Sequence, residues 1–144
     1  VGSIYLQLEN HLFTGDHVLP GYTPNIGGAD IEYDGLLAMY LSSLERIAGL
    51  DRPGLTVLPG HDDPVADLTG HVKTTIAHHT QREQQILNLL QAGGPQTVYE
   101  LAVKQFGVMH DYHLVLGTGE VHAHLELLID KNLAAKEAGT YRPL

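Results

Sequence analysis

Two short segments carry residue types suited to metal-assisted hydrolysis. Asp16 stands in Thr14-Gly15-Asp16-His17, and His61 in Leu58-Pro59-Gly60-His61, 45 residues further on. Each follows a short apolar run that reads as a strand. Both side chains are therefore mounted at strand ends, on a rim rather than in a core. A carboxylate can bridge two cations with its two oxygens, and a neutral imidazole nitrogen fills one place in a coordination sphere. The gap is long enough to place a helix between two strands of one sheet. Equally, Asp16 suits the cap of a turn and His61 an ordinary surface loop, and spacing alone leaves both readings open.

The elements that must position these residues are read from periodicity. Ile4, Leu6 and Leu8 alternate with Tyr5, Gln7 and Glu9, which predicts a half-buried strand. Glu9-Asn10-His11 reads as a hairpin turn and Leu12-Phe13-Thr14 as the returning strand. A loop rich in Gly and Pro follows, from Pro20 to Asp30. Leu36, Leu37, Tyr40, Leu44 and Ile47 recur at helical spacing and predict a helix over about 34–49. Leu55 to Leu58 predicts a short buried strand that Pro59-Gly60 breaks. Beyond residue 70 the pattern changes. Val72, Ile76, His79, Ile86 and Leu90 mark a helix over about 70–91, stopped by Gly93-Gly94-Pro95. Thr97 and Glu100 form a capping box that opens a second helix, to about Phe106. A loop is expected over 107–117, then a third helix over about 119–132 and a hairpin from Leu133 to Arg142. Three helices and a terminal hairpin are the order of a winged helix.

The 144 residues are 43% hydrophobic and 17% charged, enough for a packed core in one domain or two small ones. Cysteine is absent, which excludes disulfides, thiolate metal sites and a catalytic thiol. The formal net charge is −9, and it is unevenly spread: ten acids face two bases in residues 1–69, against seven and six in 70–144. With most of the proline also in the first half, this predicts two domains, 1–69 and 70–144. The acidic balance argues against non-specific DNA binding. No apolar run approaches a membrane span, and the N-terminus has no signal-peptide core, so a soluble, cytoplasmic protein is expected.

Ten histidines need separate weighing. His122-Ala123-His124 looks like a ligand pair, but residues two apart on a helix diverge by about 200°, so the pair cannot chelate one ion. His110 and His113 are expected in a loop with Asp111. His78 and Arg82 share one helix face at i, i+4, as do His79 and Glu83. They suit surface pairing or packing between domains, or, for His78 and Arg82, contact with a substrate anion that the guanidinium fork would match. His17 follows Asp16 directly and points to the opposite face of its strand.

In the order Leu12-Phe13-Thr14-Gly15-Asp16-His17-Val18-Leu19-Pro20-Gly21, the Tyr40-Leu41-Ser42-Ser43-Leu44 helix, Val57-Leu58-Pro59-Gly60-His61, and Ile76 to Leu87 around His78 and Arg82, the chain resembles the C-terminal half of metallo-β-lactamase-fold hydrolases. The resemblance is to the branch that carries a C-terminal winged-helix domain and includes a single-strand-directed endoribonuclease. It implies an α+β fold: the C-terminal half of an αββα sandwich followed by a winged helix. It further implies that Asp16 bridges two zinc ions, that His61 binds one of them, and that His78 and Arg82 bind substrate. The family's His-x-His-x-Asp-His motif lies N-terminal to the Gly-Asp strand and is not in this sequence. The expectation is therefore a C-terminal portion, inactive alone, because Asp16 and His61 leave two zinc ions short of their usual four ligands. Asp62 stands where such proteins usually have glycine; its carboxylate either orients His61 or has no role.

The expected function is zinc-dependent hydrolysis of single-stranded RNA phosphodiesters, or of a small-molecule ester or thioester. The rival is a non-catalytic winged-helix module that regulates or binds a protein partner. Duplex DNA is not an expected partner, because the third helix carries Glu120, Glu126 and Asp130 against Lys131 alone. Lys131, Lys136 and Arg142 could touch one or two phosphates of a single strand, with Tyr141 as a stacking face; alternatively Tyr141 packs the hairpin. Substrate identity and oligomeric state are not legible.

Overall fold

The structure, a computed structural model, describes residues 3–28 and 33–144. The chain divides into two units, one of Val1–Pro24 and Tyr40–His78, the other of Asn25–Met39 and His79–Leu144.

The first unit is built on a three-stranded sheet in the order β1 (Leu6–Leu8), β2 (His11–Gly15), β3 (Thr56–Pro59). β1 and β2 form a tight antiparallel hairpin with Leu8 level with His11, and Glu9 turns it at φ 51. β2 and β3 are parallel, with Leu12 beside Val57 and Gly15 beside Pro59, and the register shifts between Phe13 and Gly15. Parallel neighbours need a crossover, and helix α1 (Leu36–Ala48) lies within that connection. Tyr40, Leu44 and Ile47 recur along α1 and are buried, as are Leu12 and Val57. β1 differs from expectation. Alternation predicts a half-buried strand, yet Ile4, Leu6 and Leu8 are 79%, 62% and 65% exposed. Alternation marks a face meant for cover, and the described residues place no layer over this one.

Helix α2 (Leu68–Gly93) runs through the division between the units. It opens two residues earlier than periodicity suggests because Asp67 caps it, its Oδ1 accepting from Gly70 N at 2.8 Å. In the second unit follow α3 (Val98–Phe106), α4 (Asp111–Asp130) and the hairpin of β4 (Ala134–Glu137) and β5 (Thr140–Pro143). The capping box at Thr97 and Glu100 is present. Ile86, Leu90, Leu101, Leu125, Leu128 and Tyr141 pack into one buried cluster. Gln96 is buried beside them and well satisfied. Its backbone exchanges two hydrogen bonds with Tyr141 at 2.9 and 2.7 Å, Nε2 donates to Leu89 O at 2.9 Å, and Oε1 accepts from Lys104 Nζ.

α4 corrects the expected loop over 107–117. It is helical from Asp111, through Gly117 and Gly119, which propensity alone would keep out of a helix. Close packing explains the glycines. A Cβ on Gly119 would lie 2.4 Å from Gly28 Cα, because residues Asn25–Gly28 are seated on this stretch of helix. Asn25 fixes them there, donating from Nδ2 to Leu116 O at 3.2 Å and accepting from Gly28 N at 3.1 Å. Among the described residues no helix is long and apolar enough to cross a membrane.

Candidate metal centre

The carboxyl ends of β2 and β3 lie side by side, and in open α/β sheets ligands bind in the crevice outside such ends. Thr14 anchors the first: its buried hydroxyl donates to Val18 O at 3.2 Å, with Leu58 O at 3.4 Å. Gly60 ties the second to it, with its N–H donating to Gly15 O at 3.0 Å. Glycine at position 60 leaves room for the Asp16 carboxylate where it stands, since a Cβ there would lie 2.5 Å from Asp16 Oδ1 and 3.2 Å from Gly15 C. This close passage brings Asp16 and His61 together.

His61 Nε2 stands 3.6 Å from Asp16 Oδ1, and the two side chains are 50% and 66% exposed. That distance is too long for a strong hydrogen bond but suits two ligands of one cation. With bonds of about 2.0–2.1 Å, two donors of a tetrahedral zinc ion lie about 3.4 Å apart. A borderline-soft imidazole and a carboxylate are zinc donors by chemistry as well as by spacing. Among the described residues no group of three or more His, Asp or Glu side chains is arranged to hold a metal ion, so Asp16 and His61 stand as a pair of candidate ligands.

Two further side chains surround His61. Asp62 Oδ2 lies 2.8 Å from His61 Nδ1, and the Tyr22 hydroxyl donates to the same Oδ2 at 3.1 Å. The Tyr22 ring stacks on the imidazole, with centroids 6.0 Å apart and planes 20° apart. The His61 and Tyr22 bonds hold the Asp62 carboxyl below its usual range. Desolvation, and then the bond to Asp62, pushes the Tyr22 hydroxyl up. Sequence reasoning reaches Asp62 but not Tyr22. The tyrosine sits in an aperiodic Gly- and Pro-rich loop, where no pattern marks an aromatic as functional.

His17, His79 and His124 have structural surroundings. His17 is buried edge-on against Tyr40, ring centroids 5.2 Å apart, and burial holds its imidazole below the ordinary value of 6.5. His79 and His124 meet in the interior of the second unit, Nδ1 to Nε2 at 3.3 Å, and His124 Nδ1 lies 2.8 Å from Glu120 O. His122, on the same helix, is half-buried, so the two histidines do diverge as helical geometry requires. His113, expected in a loop, lies in the first turn of α4, and His110 is its N-cap residue.

His78 is the last residue of the first unit, and Arg82 lies one turn on, in the second. Arg82 is engaged there: Nε is 3.7 Å from Glu120 Oε1, and the guanidinium lies 4.7 Å over the Phe106 ring. Two of the cations near the hairpin likewise meet carboxylates. Lys131 Nζ donates to both Glu83 oxygens at 2.7 Å, and Arg142 Nε stands 3.5 Å from Glu137. Tyr141 is 2% exposed, so of the two readings left open it packs the core and offers no stacking face.

No family model matches the chain. Curated relatives include an atrochrysone carboxyl ACP thioesterase of Claviceps purpurea, 33% identical over 82 residues, covering 57% of this chain and 23% of that protein. Another is the lactamase-like protein nscB of Neosartorya fischeri, 33% identical over 122 residues, covering 74% of this chain and 34% of that protein. The chain thus spans between 23% and 34% of the length of these relatives. Among solved structures, a metallo-β-lactamase family protein of Thermus thermophilus matches with a TM-score of 0.78 at 29% identity, over 94% of this chain and 42% of that one. A β-lactamase domain protein of Burkholderia ambifaria matches with a TM-score of 0.82 at 28% identity, over 94% and 42%. The chain therefore has an α+β, metallo-β-lactamase-like fold.

Proposed function

We propose that the chain is the C-terminal portion of a zinc-dependent hydrolase, with Asp16 bridging two ions and His61 binding one. The observation that carries this is the 3.6 Å approach of His61 Nε2 to Asp16 Oδ1 across the ends of adjacent parallel strands. Zinc, when bound, acidifies water and polarises the scissile group. The chain's own contribution is geometric. β2 and β3 fix the separation of the two ligands, Gly60 leaves room for the Asp16 carboxylate, and the rim location admits substrate. His78 and Arg82 are retained as candidate substrate contacts on α2, with Arg82 needing release from Glu120.

The substrate class we favour is a thioester or related ester, which is what the Claviceps relative is named for. RNA phosphodiester cleavage has no comparable support. The second unit we read as a winged helix. The order of helix, the lone bridge at Gln96, two helices and a hairpin supports this, with Gln96 as the short strand that pairs with β5. The pairing of Lys131 and Arg142 with carboxylates and the acidic α4 argue against duplex DNA as a partner. The exposed β1 residues fit a chain whose relatives extend further. A non-catalytic role remains the rival. Expressed from its complete gene, the protein should bind two zinc ions and hydrolyse acyl thioesters, and Asp16→Ala should lose metal and activity together. A complete protein free of stoichiometric zinc would refute the enzyme reading and favour the regulator.

A further inference from the structure

His61 sits on an exposed loop, where an imidazole ordinarily changes tautomer and rotamer freely. Here its shortest contact is at Nδ1. Asp62 Oδ2 lies 2.8 Å from Nδ1, and the Tyr22 hydroxyl is 3.1 Å from the same oxygen, 3.0 Å from Nδ1 and 3.3 Å from Nε2. These contacts decide the proton's position. With the proton on Nδ1, Asp62 Oδ2 accepts two hydrogen bonds, from Nδ1–H and from Tyr22 O–H, and both donors are paired. With the proton on Nε2, the Nδ1 lone pair would face a carboxylate oxygen at 2.8 Å, and Nε2–H would find only the Tyr22 hydroxyl at 3.3 Å, already donating to Asp62, and Asp16 at 3.6 Å.

The backbone adds a second observation. Asp62 holds φ 68, a left-handed conformation that glycine adopts freely and other residues adopt at a cost. Aspartate is among the few side chains that tolerate it, and this one bonds directly to the neighbouring imidazole. A residue held at this φ and bonded to the neighbouring imidazole is placed to orient that ring.

We propose that Asp62 and Tyr22 are positioning residues that lock His61 in its Nδ1–H tautomer, with the Nε2 lone pair presented toward Asp16 before any cation arrives. Asp62 supplies the acceptor. Tyr22 confines the ring by stacking and keeps the carboxylate aligned through its own donated hydrogen bond. The purpose of the clamp rests on the reading of His61 as a metal ligand, but its existence does not.

The experiment is a long-range 1H–15N correlation spectrum of the metal-free 144-residue chain, at a pH where imidazole is neutral. His61 should appear as the Nδ1–H tautomer. Asp62→Gly suits φ 68 and so keeps the fold; it should return His61 to a mixture dominated by Nε2–H. Asp62→Asn retains an acceptor oxygen and should rescue Nδ1–H, and Tyr22→Phe should weaken the preference without reversing it. Titration with zinc chloride should then perturb His61 Nε2, with an affinity about 10–100-fold lower in Asp62→Gly. An Nε2–H tautomer in the metal-free wild type, or no change on Asp62→Gly, overturns the proposal whatever zinc does. An Nδ1–H tautomer whose Nε2 ignores zinc upholds the clamp and overturns the metal reading.

Discussion

Gly117 and Gly119 stand two residues apart in α4, and replacing each by alanine should change stability in opposite directions. Propensity favours both substitutions, since glycine inside a helix costs about 1 kcal/mol relative to alanine. Their surroundings separate them. A Cβ on Gly119 would lie 2.4 Å from Gly28 Cα, 2.6 Å from Gly27 O and 2.7 Å from Gly27 C, all backbone atoms. Carbon atoms in contact prefer about 3.5–4.0 Å, so the Asn25–Gly28 segment would have to lift by roughly 1 Å. Overpacking of this kind costs about 1–3 kcal/mol, and loosening the two Asn25 hydrogen bonds adds about 0.5–1.5 kcal/mol for each one lost. These terms exceed the propensity gain, and Gly119→Ala should lose about 1–2 kcal/mol net. A Cβ on Gly117 instead meets Met109 Sδ at 2.3 Å and Phe106 Cδ2 at 3.3 Å. The methionine end is flexible and can turn aside, so Gly117→Ala should be neutral or up to about 1 kcal/mol stabilising. Urea denaturation monitored by circular dichroism measures both. If Gly119→Ala proves as stable as Gly117→Ala, the segment is not seated on α4 and the packing argument fails.

Gly60→Ala should leave the fold within about 1 kcal/mol, because the carboxylate it meets is exposed and can swing away. It should nevertheless abolish any response of His61 to zinc, and a retained response would show that Asp16 need not lie where it does. Burial holds His17, His71 and His122 below the ordinary value of 6.5, so they stay neutral when folded while the unfolded chain takes up protons. Their stabilisation is complete above pH 6.5 and declines as pH falls through and below it; Glu126, raised by burial, opposes this where the folded protein takes up its proton, above the ordinary 4.5. Urea midpoints that stay flat from neutral pH to about pH 5.5 would contradict the burial of these rings. Leu6→Ser and Leu8→Ser should cost less than about 0.5 kcal/mol each and lower the binding of a hydrophobic dye, whereas a cost above about 2 kcal/mol would show that β1 is covered.

What could be read from sequence follows from how local each signal is. Gly15-Asp16 and Pro59-Gly60-His61 are legible because glycine after a short apolar run marks both a strand end and a close backbone approach. The capping box at Thr97 is equally local, and the structure contains it. The start of α4 is not legible, because Gly119 packs against Gly27 and Gly28, which lie far away in the chain, and Gly117 against Met109 and Phe106. The meeting of His79 with His124 depends on two helices coming together, as does the enclosure of Tyr141. The β1 residues fail in the opposite way: alternation correctly marks an apolar face but does not say whether anything covers it. Tyr22 is invisible because its role comes from standing over His61, 39 residues later.

The central claim is that Asp16 and His61 are ligands of one cation. Zinc titration of this chain, followed by calorimetry and by the side-chain resonances of His61, tests it most directly. The account predicts weak binding, because the chain supplies only part of a coordination shell, with a shift at His61 Nε2 that disappears in Asp16→Ala. A His61 signal that zinc leaves unmoved, or one that moves equally in Asp16→Ala, would contradict it, as would two tight sites on this chain alone.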